Sequence, residues 1–164
     1  MIPESERRNL QSACDRLILT HQTLLLASRS PDGNADISYA PYVRDEDSFF
    51  VFVSELAKHT KNLLTHPHAS VLFIEPETAA KNLFARQRLT LECRVREIGK
   101  SDTMYAQQLN ALAQKFGEIV GVLRTLPDFH LLALTPIRGQ FVAGFGKTFE
   151  VDATGRLQFP TEAH

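Results

Sequence analysis

The sequence predicts a mainly β fold, an antiparallel barrel of six or seven strands flanked by helices. Apolar segments of strand length follow one another with short polar turns between them, as in successive hairpins. Residues 86–96 alternate between polar and apolar side chains, which is the period of a half-buried strand. Helical patterns occur at the start, after the third strand and after the fifth. This order favours a barrel over a doubly wound sheet, in which strands and helices alternate.

Length and charge narrow the class of protein. The 164 residues suggest a single domain, 1–164, with an N-terminal helix inside 1–21 and a C-terminal tail, 152–164, that is a candidate ligand-binding segment. A net charge of −1 gives no overall attraction to nucleic acid or to an anionic membrane. The sequence contains no apolar run of membrane-spanning length and no secretory signal at its start. Cys14 and Cys93 are interpreted as separate thiols, so we expect a soluble, cytoplasmic protein.

The first elements follow from local signals. Residues 4–20 carry apolar side chains at helical spacing, with acidic residues in the first turn. Segments 23–27 and 35–43 are expected to pair as a hairpin around the turn Ser-Pro-Asp-Gly-Asn at 30–34. Pro41 removes a backbone donor and therefore predicts an edge strand or a bulge at that point.

A strand at 49–53 comes next, followed by a short cationic helix. Ser54 is the predicted N-cap of this helix, which carries Lys58 and ends at His66-Pro67. A continuous apolar strand at 70–75 and the alternating strand from Arg86 onward complete the middle of the chain.

The last third combines a helix with the closing strands. Ser101 is the predicted cap of a helix that ends at Gly117. Segments 129–134 and 140–151 are predicted to be two closing strands joined through Pro136 and Gly139.

Four motifs in order, YAPYV (39–43), SELAKHTKNL (54–63), NLFARQRLT (82–90) and GQFVAGFGK (139–147), resemble a known family. They are similar to the pyridoxamine 5′-phosphate oxidase-like, FMN-binding split-barrel superfamily, and within it to the HugZ/HutZ haem-utilisation branch. The resemblance covers residues 5–150. It implies a split β-barrel homodimer with ligand sites at the dimer interface.

The superfamily resemblance also implies cofactor-binding positions. Ser54, Lys58 and Thr60 match its phosphate-contacting positions, and Gln87 and Arg88 match the positions where its long strand reaches the cofactor. Arg86, the basic residue next to these two, is a further candidate. A phosphate needs backbone N–H groups and a charged donor, which a cationic helix start can provide. The alternatives are a simple cap at Ser54 and a solvated lysine at Lys58. Arg86, Arg88, Arg94 and Arg96 are predicted to share one strand face, with Arg94 and Arg96 interpreted as solvated.

Haem requires an axial ligand, most often a histidine supported by a second group. In the HugZ/HutZ branch this is a C-terminal histidine assisted by an acidic residue, which here correspond to His164 and Asp128. His66 and His68 are expected to face solvent, and His21 and His130 to be structural. His59, beside the cationic turn, is left open between a structural and a ligand role.

Three functions remain open at this point. The first is a haem-binding protein of haem iron utilisation that degrades haem as an oxygenase, with Asp128 and Arg88 as its catalytic residues. The second is an FMN-dependent oxidoreductase, with Lys58 holding the phosphate. The third is a non-catalytic haem chaperone or storage protein.

Overall fold

In the computed structural model, residues 1–160 are described, and they form one nine-stranded antiparallel sheet that curls into a barrel with four helices around it. The helices are α1 (Glu4–Thr20), α2 (Lys58–Thr65), α3 (Thr103–Phe116) and α4 (Ile119–Arg124). The strands are β1 (Thr23–Arg29), β2 (Ala35–Pro41), β3 (Val43–Asp45), β4 (Ser48–Ser54), β5 (His68–Ile74), β6 (Arg88–Ile98), β7 (Phe129–Gly144), β8 (Lys147–Val151) and β9 (Leu157–Gln158).

The predicted barrel is confirmed, with seven strands of five or more residues and two shorter ones, β3 and β9. Strand order is β2-β1-β5-β6-β7-β4-β3, and β8 and β9 extend the sheet from β7. The hairpin of β1 and β2 has the expected register, and β2 ends at Pro41 on the outer side of that order. Within residues 1–160, no helix is long and apolar enough to cross a bilayer.

The buried apolar side chains form two clusters, one inside the barrel and one between the sheet and the outer helices. Inward side chains of the strands, among them Leu24, Val51 and Phe141, pack with the apolar stripe of α1 to fill the barrel. On the outside, α3 and α4 cover the other face of β4 and β7, burying Leu109 and Leu131. Strand β6 alternates buried and exposed residues as its sequence predicts.

The predicted break in the last part of the chain is wrong. Strand β7 runs without interruption for 16 residues, and Pro136 lies within it. The register against β6 shifts at this point, since Cys93 pairs with Pro136 and Glu92 with Arg138, so Ile137 is the extra residue of a β-bulge. A bulge tolerates proline because the ladder hydrogen bonds are already interrupted there.

Two predicted helix caps are also wrong. Helix α2 begins only at Lys58, after a turn, and Ser54 instead accepts a hydrogen bond from Leu56 N at 3.1 Å. Helix α3 is capped by Asp102, whose carboxylate accepts from Met104 N at 2.9 Å, and not by Ser101. In both cases the residues just before the helix form a turn. The first unpaired N–H groups of the helix therefore lie further toward the C-terminus than the predicted cap.

Candidate functional site

Two of the predicted site residues, Ser54 and Asp128, are in direct contact. Ser54 lies at the end of β4 and Asp128 immediately before β7, where the two strands pair Ser54 with Phe129. Ser54 Oγ donates to Asp128 Oδ2 at 2.6 Å, and Glu55 N donates to the Asp128 carbonyl at 2.9 Å. In residues 1–160, no group donates to Asp128 Oδ1. The carboxylate is therefore held by one oxygen, and the other can accept a further N–H.

Lys58 and Thr60 occupy the start of α2 but differ in accessibility. Lys58 is exposed at the first helical position. Thr60 is fully buried, and its hydroxyl donates to the Ser54 carbonyl at 2.6 Å. Thr60 thus stabilises the turn that carries Ser54, while Lys58 is the residue of this pair that can meet an anion.

The second group of predicted residues surrounds the start of β6. Arg86 precedes the strand, which corrects the prediction that it shares the face of Arg88, Arg94 and Arg96. Its guanidinium donates twice to the Glu75 carbonyl, at 3.0 Å from Nε and 2.6 Å from Nη2. Gln87 N donates to the Glu75 carboxylate at 2.7 Å. Because Arg86 is engaged by backbone, Arg88 is the better candidate of the two for a ligand.

Arg88 is half-buried at the first position of β6. One of its terminal nitrogens, Nη1, donates to the Arg86 carbonyl at 3.1 Å. The remaining N–H groups of the guanidinium have no acceptor in residues 1–160, so they can bind a carboxylate or phosphate.

Within one chain these two groups are far apart. Ser54 and Asp128 adjoin Phe129 at the start of β7, whereas Arg88 pairs with Val142 near its end. At about 3.3 Å per residue, the 13 positions between Phe129 and Val142 correspond to roughly 40 Å along the strand. The cationic half of the predicted site, around Arg88, and the carboxylate half, around Asp128, therefore lie toward opposite ends of β7 within one chain.

The described histidines differ in how their ring nitrogens are used. His21 is structural as expected: its nitrogens face the carbonyl oxygens of Leu17 and Ile74 at 2.6 and 2.8 Å. His66 lies 3.4 Å from Arg29, and His68 is exposed. His164 lies outside the described residues.

His59, which the sequence left open, is half-buried on α2. Its Nδ1 lies 2.7 Å from Ser38 Oγ, and burial lowers its pKa. Burial therefore favours the neutral ring. The sequence signal for this contact is weak, since Ser38 is 21 positions earlier in an ordinary strand.

One cluster was missed by sequence reasoning. The His130 cluster consists of His130, Glu55 and Glu97, with Nε2 2.7 Å from Glu55 Oε1 and Nδ1 3.1 Å from Glu97 Oε2. The hydrogen bond that the His130 ring donates to Glu55, and then the one that it donates to Glu97, raise the pKa of His130 against the opposing effect of burial. These residues come from three separate strand ends, which is why no motif marks them. The cluster adjoins Asp128 and ties β4, β6 and β7 together.

The curled antiparallel sheet with helices around it is a split β-barrel. The sequence matches the pyridoxamine 5′-phosphate oxidase family over residues 10–143. The chain belongs to this family, and the resemblance found in the sequence is confirmed.

Its relatives include haem proteins. The chain is 38% identical to heme oxygenase HutZ of Vibrio cholerae serotype O1 over 138 residues, which is 84% of this chain and 78% of HutZ. The crystal structure of HutZ from Vibrio cholerae, described there as a heme storage protein, superposes with a TM-score of 0.73 and 34% identity, over 90% of this chain and 100% of the chain in that structure. Campylobacter jejuni ChuZ superposes with a TM-score of 0.81 and 25% identity, over 92% of this chain and 62% of ChuZ.

Proposed function

We propose that this protein binds haem in haem utilisation, as a cytoplasmic homodimer in which each haem site is shared between two chains. The observation that carries the ligand class is the 38% identity to HutZ across most of both chains. Cys14 and Cys93 form no disulfide, which supports a reducing compartment. Both thiols are buried, and burial raises the pKa of each to about 12.

The donors in the structure fit a haem site of this kind. When bound, haem supplies the iron and its redox and oxygen chemistry. Asp128 offers an open carboxylate oxygen, suited to accept the second N–H of an axial imidazole and so to orient it. We assign that imidazole to His164, and we assign Arg88 to the propionates, because its guanidinium has free N–H groups.

Chain geometry supports a site shared between two copies. The register of β9 and β8, continued two residues, brings Pro160 level with Thr148, which pairs with Val142, the partner of Arg88. On that continuation, Pro160 would lie three strand spacings, or about 14 Å, from Arg88. His164 follows four residues later, and a chain of that length spans at most about 14 Å. A segment of that length would span the distance to the Arg88 end of its own barrel but not the distance to Asp128, which lies up to roughly 40 Å away along β7.

An exposed apolar face supports the same arrangement. Ile37 is 81% exposed, Tyr39 62% and Leu25 37%, and they are neighbours on the outer surface of β1 and β2 because Leu25 pairs with Tyr39. A contiguous apolar surface of this kind is typical of an interaction site. A second copy of the chain is the occupant we propose.

The ligand assignment is tested by haemin titration of the wild type and of His164→Ala. We expect a Soret band in the wild type that shifts in the variant, as the axial ligand is lost. His68→Ala, which removes an exposed imidazole, should behave as wild type. No Soret band on adding haemin, or a band that His164→Ala leaves unchanged, would refute the assignment.

The shared site is tested by mixing Asp128→Ala chains with His164→Ala chains. Each variant alone lacks every intact Asp128–His164 pair. If the pair forms between chains, a mixed dimer regains one intact site of its two. After statistical exchange, half of the dimers are mixed, and each of them has one intact site of two. About a quarter of the wild-type Soret signal of His164-ligated haem is therefore expected to return. No recovery with demonstrated exchange would mean that the pair forms within a chain or not at all.

Oxygenase and storage activity are separated by the fate of bound haem. Ascorbate and oxygen should bleach the Soret band if the protein degrades haem, with Asp128 and Arg88 as its catalytic residues, and should leave it intact if the protein is a carrier. FMN is the alternative cofactor, supported by the family match and by exposed Lys58 at the start of α2. Flavin that copurifies and is lost in Lys58→Ala would favour this alternative.

A further inference from the structure

The loop between β5 and β6 presents two adjacent apolar side chains to solvent, Phe84 at 90% exposure and Leu83 at 63%. We call this pair the Phe84 knob. Its turn is fixed, because Asn82 Oδ1 accepts from Phe84 N at 2.9 Å. The base of the loop is fixed as well: Glu75 N donates to the Gln87 carbonyl at 2.9 Å, and Gln87 N donates to the Glu75 carboxylate at 2.7 Å. A knob that is already ordered can enter a partner's pocket with little further loss of conformational entropy.

An apolar pocket of about 300 Å³ lies between β4 and the outer helices. We call it the α4 pocket. Its lining is apolar and comes from the end of β2, from β4 and from both outer helices, with Pro41, Phe52, Leu112, Phe116, Ile119 and Leu123 among its residues. A cavity of about 150 Å³ with such a lining holds a benzene ring. The α4 pocket therefore has room for a phenyl ring together with a neighbouring aliphatic side chain.

The knob and the pocket of one chain lie toward opposite ends of β7. Phe52, in the pocket, pairs with Leu131 near the start of that strand, and Arg88 pairs with Val142 near its end. The 11 positions between Leu131 and Val142 correspond to up to roughly 36 Å along the strand. Phe84 precedes Arg88 by four residues, a reach of at most about 14 Å. The knob can therefore fill the α4 pocket of another chain but not that of its own.

The pocket is continuous with the apolar face of β1 and β2. Ile37, Tyr39 and Pro41 are alternate residues of β2 and are all exposed, so they share the outer face of that strand. Pro41, the last of them, also lines the α4 pocket. The surface proposed above to meet a second copy thus leads directly into a concave apolar site, and this continuity identifies the same second copy as the occupant of the pocket.

We propose that the Phe84 knob of each chain seats in the α4 pocket of a second copy of the chain. The inference rests on the proposed homodimer and names the contact that builds it. Each chain carries one knob and one pocket, so a two-fold axis makes the contact twice and closes the pair. The Phe52 and Phe129 rings are 5.0 Å apart, and Phe129 directly follows Asp128. The partner's Phe84 therefore lies beside the carboxylate half of the candidate site.

The contact is tested by cysteine cross-linking between chains. Chains with Phe84→Cys are mixed with chains carrying Ile119→Cys, at the exposed rim of the pocket, and diamide oxidises the two thiols to a disulfide. The native cysteines are buried and do not take part. We expect a cross-linked dimer in the mixture and at least tenfold less in either variant alone, because each contact joins one knob to one pocket. Leu19→Cys, at an exposed position on α1, replaces Phe84→Cys in the control mixture and should give no more than the single variants.

The energetic weight of the knob is measured by analytical ultracentrifugation over a range of concentrations. Phe84→Ser removes an exposed ring, so its far-UV circular dichroism spectrum should match that of the wild type. The dissociation constant of the dimer should rise at least about 100-fold, since two buried aromatic contacts are lost and each is worth about tenfold or more. Leu19→Ser, which removes another exposed apolar side chain, should leave the dissociation constant within about twofold of wild type.

The outcomes separate this inference from the proposed function. A wild-type dimer that Phe84→Ser leaves intact, with no cross-link in the mixture, overturns the inference and leaves the homodimer standing, with another protein or a small apolar molecule as the occupant of the pocket. Equal cross-linking in the Leu19→Cys mixture overturns it as well. A wild type that sediments as a monomer at every concentration overturns the homodimer and this inference together. A weakened Phe84→Ser dimer, with the cross-link confined to the Phe84→Cys mixture, supports both.

Discussion

Gly139 provides a sharp test of how β6 and β7 pack. It sits in β7 opposite Leu91, two positions past the bulged Ile137. A Cβ at this position would lie 2.5 Å from Leu91 Cδ2 and inside van der Waals contact of the Thr90 carbonyl oxygen. The leucine can change rotamer, but the carbonyl belongs to the backbone of β6. Gly139→Ala must therefore push the two central strands apart.

Overpacking of a core costs about 1–3 kcal/mol, and a clash with backbone should fall at the upper end, about 3 kcal/mol. For a domain of this size, that lowers the melting temperature by about 6–12 °C. Gly99→Ala is the control, since a Cβ there meets no atom within 4 Å. The melting temperatures of both variants and of the wild type are measured by circular dichroism. A Gly139→Ala melting temperature within about 2 °C of wild type would show that β6 and β7 adjust freely, contrary to the packing described.

Two further substitutions probe the carboxylate half of the site. In the His130 cluster the folded pKa of His130 is raised, so its stabilisation is complete below the usual histidine pKa near 6.5 and is lost as pH rises through the folded pKa. Thermal melts of wild type and His130→Gln should therefore differ most at about pH 6, by roughly 1 kcal/mol, and converge at alkaline pH; a constant difference would contradict the charge pairing. Ser54→Ala removes the hydrogen bond to Asp128 and should destabilise the fold by about 1 kcal/mol and alter the haem spectrum. Ser48→Ala, in the same strand, loses a hydroxyl bond to Thr135 and should leave that spectrum unchanged.

Much of the fold could be predicted because its signals are local. The helical spacing of 4–20 and the alternation of β6 each need only neighbouring residues to be recognised. The continuity of β7 could not be predicted, since Pro136 and Gly139 are strand breakers in isolation. Their places depend on β6: the bulge accommodates the proline, and the close approach of Thr90 requires the glycine.

The candidate site was predicted as a set of residues but not as a geometry. Ser54 and Asp128 are 74 positions apart, and their hydrogen bond arises only because β4 pairs with β7. The hairpin after Asp152 was missed for a similar reason. Its stability comes from the Asp152 carboxylate and from Gln11, contacts that leave no periodic pattern in a segment of nine residues.

Strand β7 determines how the two halves of the site can cooperate. It carries Asp128 at one end and the pairing partner of Arg88 near the other, and its side chains fill the core on both faces. Such a strand cannot bend enough to bring its own ends together, because the core on each side is close-packed. If Asp128 and Arg88 act on one ligand, two copies of the strand must run past each other in opposite directions. A two-fold axis between two chains would do this, and it would bring Arg88 of each chain toward Asp128 of the other.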